Sequence, residues 1–243
     1  MSEKYWDDGL VKSTERVKDA GEVFTPFNII EDMLDLLPAD AWEVHPSKTF
    51  LEPSCGNGRF LVVALYRKIN RIQTSSITSS QIPVLALEAL ASIYGIDISE
   101  DNVLGHIGEE HDGARGRLVK HFNHLLDELN VAEKRDELTA CAKWIVDHNV
   151  IVGNMLPTDS KGKPTNRDEM PFLDYVWEPE SSSVEIFKTD WLQIQENSRE
   201  DDGALNLNFG TSEEPVYAGP ALNLHSANKV VWTPKGIIPR GKR

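Results

Sequence analysis

Between residues 21 and 157 the apolar positions alternate between helical spacing and short unbroken runs of strand length. Ile29, Ile30, Met33, Leu34 and Leu37 form a helical stripe; Thr25 suits its cap, Pro26 its first turn, and Pro38 marks its end. Thr49-Phe50-Leu51-Glu52 is a short apolar run closing on an acid. A glycine turn leads from it into a stripe of Phe60, Leu61, Ala64, Leu65 and Ile69, which predicts a strand followed by a helix. A Ser/Thr-rich loop from Thr74 to Gln81 precedes a second helix over Val84 to Ala91. Ser92 to Ile98 predicts the next strand, with Ser99 placed to cap a helix from Glu100. Leu118, Phe122, Leu125, Leu126 and Leu129 recur at helical spacing within Ala114 to Asn130, Ala132 to Asp147 continues as helix, and Asn149 to Asn154 is a third strand. This order predicts an α/β fold with a doubly wound parallel sheet, whose ligands gather at the carboxyl ends of the strands.

After Pro157 the pattern dissolves. Thr158 to Met170 reads as loop, Val184 to Phe187 as a strand, Glu196 to Asp202 as an acidic stretch and Val230-Val231-Trp232 as a last strand. The expected organisation is a charged arm over 1–20, a sheet domain over 21–157, and a region over 158–243 that completes the sheet and ends in an irregular, basic tail. Hydrophobic residues make up 40% of the 243, enough for a sizeable core. The N-terminus lacks the basic and apolar segments of a leader, and no stretch is long enough to span a bilayer, so a cytoplasmic protein is expected. Cys55 and Cys141 have no metal-like spacing, and no metal site is expected; His106, His111, His121 and His124 lie close in sequence without ligand geometry. The net charge of -14 weighs against a free-standing nucleic-acid-binding protein. Lys229, Lys235, Arg240, Lys242 and Arg243 form the best basic patch, and a solubilising tail is its simpler account.

Two strand-end clusters carry candidate chemistry. Glu52-Pro53-Ser54-Cys55-Gly56-Asn57-Gly58 joins a strand to a helix through glycines, which let a backbone approach a ligand closely or simply make a tight turn. Asp97 ends the next strand, where a carboxylate can accept from ribose hydroxyls or cap the following helix.

Leu51 to Leu61, with its Glu-Pro-Ser-Cys-Gly-Asn-Gly core, resembles the S-adenosylmethionine motif of the N6-adenine DNA methyltransferases. Gly21-Glu22-Val23-Phe24-Thr25-Pro26 is similar to the segment that precedes that motif in the type I and type IIG modification enzymes, and Tyr94-Gly95-Ile96-Asp97-Ile98 to their ribose-holding strand end. The resemblance covers residues 20 to 105 and implies a Rossmann-like sheet of the class I methyltransferases. It implies a cofactor held by Phe24, Thr25, Pro26, Glu52, Pro53, Ser54, Cys55, Gly56, Asn57 and Gly58, with its amino acid moiety near Thr25, Glu52, Ser54 and Gly56, a ribose at Asp97, and an adenine beside Ile98, Asn154 and Met155. The family's catalytic Asn/Asp-Pro-Pro-aromatic tetrapeptide is absent, and Gly153-Asn154-Met155-Leu156-Pro157 is the nearest string. Three readings follow. The chain is a DNA adenine methyltransferase with a divergent or partner-supplied catalytic loop, or a cofactor-binding regulatory subunit or acidic decoy without transferase activity; more remotely, it methylates a protein or small molecule. DNA and a protein partner are the expected associates.

Overall fold

Phe50–Glu52 (β1), Ile93–Asp97 (β2) and Val150–Val152 (β3), each rich in β-branched or aromatic residues, pair in parallel in the order β1-β2-β3. The register sets Glu52 opposite Gly95 and Asp97 opposite Val152, so the three strands end at nearly the same level. The computed structural model describes residues 24–45, 48–75, 77–106, 112–165, 167–178, 182–192 and 214–227. The arm over 1–20, Gly21 to Val23, His111, the acidic stretch, the strand at 230–232 and the basic run lie outside the described residues.

Helices flank this sheet. Arg59–Gln73 (α2) follows β1, Ile82–Ala91 (α3) leads into β2, Glu100–Leu104 (α4) leaves it, and Ala114–Glu128 (α5) and Arg135–Asn149 (α6) lead into β3. Val84 to Ala91 are buried throughout, as expected of a helix with no polar face, and α3 packs on α2 and α6. The turn between α5 and α6 is bracketed by Asn130 and Lys134 in left-handed conformations, which delays α6 to Arg135; the helix ends at Asn149, two residues beyond the expected Asp147, where Val150 turns extended. Ser99 occupies the N-cap of α4, yet its hydroxyl makes no capping bond.

The region after Pro157 departs from the expected completion of the parallel sheet. Pro171–Glu178 (β4), Ser183–Asp190 (β5) and Tyr217–Pro220 (β6) form a separate antiparallel sheet in the order β4-β5-β6. A strand over 184–187 is legible from the alternation of Val184 and Ile186 with Glu185, and the structure extends it at both ends. Its partner β4 was hidden because Phe172 and Leu173 are both buried and break the alternation. Phe172 and Met170 pack on Tyr94, Ile96 and Ile151, which seats the antiparallel sheet on the parallel one. The Tyr94 hydroxyl donates to the Leu173 carbonyl at 2.6 Å across this contact, with both groups buried. Tyr94→Phe leaves that carbonyl without its donor and is expected to lower the unfolding free energy by about 1 kcal/mol in urea titrations.

The chain divides into two compact units, Met1–Ala39 and Asp40–Arg243. Within the first, Phe27–Leu34 (α1) buries Ile30 and Leu34 while Ile29, Met33 and Leu37 of the stripe are exposed. Pro26 is the N-cap and no side chain bonds there, so Thr25 does not cap the helix and Pro26 precedes its first turn rather than filling it.

Candidate functional site

The loop after β1 owes its shape to two glycines. Gly56 has φ 52° and Gly58, the N-cap of α2, has φ 86°, a left-handed conformation that is costly for residues with a Cβ. A Cβ on Gly58 would also lie 2.9 Å from the Ala114 Cβ at the start of α5. The Cys55 N–H donates to the Ile96 carbonyl at 2.8 Å, and the Gly58 N–H to the Cys55 carbonyl at 2.9 Å. Arg117 of α5 donates through Nε to the Asn57 carbonyl at 3.0 Å. The loop is therefore held from β2 on one side and from α5 on the other.

Asp97 ties the second cluster to the first. Its Oδ2 accepts from the Gly56 N–H at 2.9 Å; its Oδ1 accepts from the Ser99 N–H at 2.8 Å and from Asn102 Nδ2 at 3.3 Å. A carboxylate has roughly four acceptor positions, so one stays open, on Oδ2. Asp97 is only 7% exposed, and the next residue, Ile98, is 68% exposed at the rim.

The third strand end adjoins these two. The Gly153 N–H donates to the Asp97 carbonyl at 2.9 Å, placing Asn154 and Met155 directly after the turn. The Asn154 Oδ1 accepts from the Leu156 N–H at 3.0 Å; its amide nitrogen has no partner among the described residues. Met155 packs on the Tyr94, Ile96 and Ile151 cluster, and Leu156 is 64% exposed. Beyond it the chain braces itself, with Asp159 Oδ1 accepting from the Lys161 and Lys163 N–H groups.

Electrostatics separate the candidate groups. Glu52 is half-buried, and desolvation raises its carboxyl above the ordinary range, partly offset by the Ser54 N–H at 3.3 Å. Burial pushes the Cys55 thiol well up, and the carboxylates of Asp97 and Glu52 push it further. A thiol so placed is not a nucleophile at neutral pH. Cys141 is also buried, its Sγ 3.4 Å from His225 Nδ1, and burial raises that thiol too.

The structure thus brings Glu52, Pro53, Ser54, Cys55, Gly56, Asn57, Gly58, Asp97, Ile98, Asn154 and Met155 to one end of the parallel sheet. Phe24, Thr25 and Pro26 belong to the first compact unit. Sequence reasoning missed Asn102 and Arg117. Asn102 was legible in principle, standing one turn into the helix after Asp97, whereas nothing in the sequence links Arg117 to a loop some sixty residues earlier. No protein-family model, no curated protein and no solved structure matches the chain.

Proposed function

We propose that the chain binds S-adenosylmethionine in a Rossmann-like sheet of the class I methyltransferase kind. We propose further that it serves N6-adenine methylation of DNA, with a catalytic loop that is divergent or supplied by a partner polypeptide. The observation that carries this reading is the 2.9 Å bond from the Gly56 N–H to Asp97 Oδ2, which joins the two clusters that resemble the family's cofactor motifs. The residues fit the group: a glycine loop opens at the start of α2, and a carboxylate beside it keeps one acceptor position open.

When bound, the cofactor supplies an electrophilic methyl group on its sulfonium. Gly56 and Gly58 allow the loop backbone to approach the ligand without an intervening side chain, and Asp97 Oδ2 accepts a ribose hydroxyl. Exposed Ile98 and half-buried Met155 offer apolar cover to an adenine face, and the Asn154 amide nitrogen can donate to its edge. Transfer to a DNA base is assigned to no residue of this chain, because the Asn/Asp-Pro-Pro-aromatic tetrapeptide is absent.

That absence favours a second reading, a cofactor-binding regulatory subunit or decoy. The net charge of -14 suits a surface that imitates the phosphates of DNA.

Calorimetric titration with S-adenosylmethionine tests the shared premise. Binding to the native chain is expected, with about a tenfold loss of affinity in Asp97→Ala, equivalent to about 1.4 kcal/mol. Absence of binding, or an unchanged affinity in the variant, rejects it. Labelled cofactor is then incubated with unmethylated DNA, with and without co-purifying proteins: label reaching DNA without a partner defeats the decoy and the partner-supplied loop together.

A further inference from the structure

We propose that Asn102 is a positioning residue that holds the Asp97 carboxylate in the orientation bonding Gly56, and so sets the acceptor offered to a ligand hydroxyl. The ligand half of this inference rests on the reading above; the half concerning Gly56 does not.

Asn102 lies in the first turn of α4, five residues after Asp97, and is 3% exposed. Its Nδ2 donates to Asp97 Oδ1 at 3.3 Å, while its own Oδ1 is buried and finds no partner among the described residues. Burying an amide oxygen without a donor is unfavourable, and a leucine of similar volume would avoid that cost. The single side-chain bond that Asn102 makes is the one to Asp97, so holding that carboxylate is what its amide accomplishes.

The consequence reaches the glycine loop. Asp97 Oδ1 takes two donors from its own strand-to-helix turn, the Ser99 N–H and Asn102 Nδ2. With Oδ1 fixed at two points, the carboxylate plane is set, and Oδ2 meets the Gly56 N–H at 2.9 Å. With the Ser99 N–H alone on Oδ1, the carboxylate is freer to turn about its χ2, a broad torsion with little intrinsic preference, and only the Gly56 bond itself resists that turn. Oδ2 would then leave Gly56 for part of the time. Asn102 makes no side-chain hydrogen bond to the loop among the described residues, and it acts through Asp97.

Amide hydrogen exchange measured by NMR on the ligand-free chain tests the first half. In Asn102→Leu the Gly56 amide is expected to exchange about tenfold faster than in the native chain, while the Cys55 amide, bonded to the Ile96 carbonyl, keeps its rate. Asn102→Ala, which cannot overfill the site, is expected to give the same selective acceleration. Unchanged Gly56 exchange in both variants overturns the proposal, as does equal acceleration of Gly56 and Cys55, which would mean general loosening.

Titration with S-adenosylhomocysteine and its 2′,3′-dideoxy analogue tests the second half. Asn102→Leu is expected to weaken the first by about tenfold and leave the second unchanged, since only the first carries hydroxyls for Asp97. Equal weakening of both overturns the positioning role. If the native chain binds neither compound, the cofactor reading fails, and the exchange of Gly56 still decides whether Asn102 positions Asp97.

Discussion

Gly113→Ala is expected to cost about 3 kcal/mol of unfolding free energy, the upper end of the range for overpacking, and roughly 10 °C in Tm. Gly113 is the N-cap of α5 with φ -77°, so any residue can adopt its backbone conformation. Space is what excludes a side chain. A Cβ there would run into the Gly105 nitrogen and stand 2.5 Å from the Leu104 carbonyl carbon and 2.7 Å from the Val103 carbonyl oxygen, all of them main-chain atoms that cannot rotate aside. The end of α4 and the start of α5 must therefore separate. Ala114 follows directly and lies against Gly58, and Arg117 one turn later holds the Asn57 carbonyl. The amide resonances of Asn57 and Gly58 are thus expected to shift along with the fall in Tm. A native-like Tm in thermal unfolding monitored by circular dichroism rejects the close approach of these two main-chain segments.

This contact shows where sequence reasoning stops. The strands ending at Glu52, Asp97 and Val152 are legible because each is a short apolar run closing at a polar or glycine turn, and the local chain decides that much. Gly113 carries no such mark. Its need for a hydrogen in place of a methyl group comes from Gly105 and the last residues of α4, which the fold brings against it. The same holds for Arg117, whose partner is a carbonyl on a distant loop, and for Tyr94, whose hydroxyl serves a strand that the sequence did not reveal. Ser99 illustrates the converse. Its position at the helix start was legible, yet Asp97 takes its N–H as partner and the Ser99 hydroxyl does no capping. Short-range pattern locates elements and their ends; which group satisfies which is decided by packing between elements distant in sequence.

The antiparallel sheet, the least legible part of the described chain, brings the second large effect. Asp174 on β4 faces a cavity of about 40 Å³ lined also by Thr49, Glu88, Ala91, Ser92, Tyr94, Tyr175 and Trp177. Burial raises its carboxyl from an ordinary 3.8 to about 7, and the Tyr175 N–H at 2.9 Å offsets only part of that. Well below pH 3.8 the group is protonated in the folded and the unfolded chain alike, and it leaves stability unchanged. Between pH 4 and 7 the unfolded chain has released the proton and the folded chain retains it, so stability falls as pH rises. Above pH 7 both states are ionised and the loss is complete. A rise from 3.8 to about 7 corresponds to about 4 kcal/mol, and solvent screening of the partly buried group reduces the loss to roughly 2 kcal/mol. Asp174→Asn removes the ionisation without emptying the site. At pH 8 the variant is expected to exceed the native chain by roughly 2 kcal/mol in urea unfolding, with the gap about halved at pH 5.5 and closing towards pH 4. Glu88, also raised by burial and paired with His45 at 3.2 Å, titrates in both proteins, so the difference between them reports Asp174. A gap of constant size across that range would mean that the amide stabilises by its shape or its hydrogen bonds. No gap at pH 8 would mean that β4 does not bury this carboxylate against the end of α3 and the start of β2.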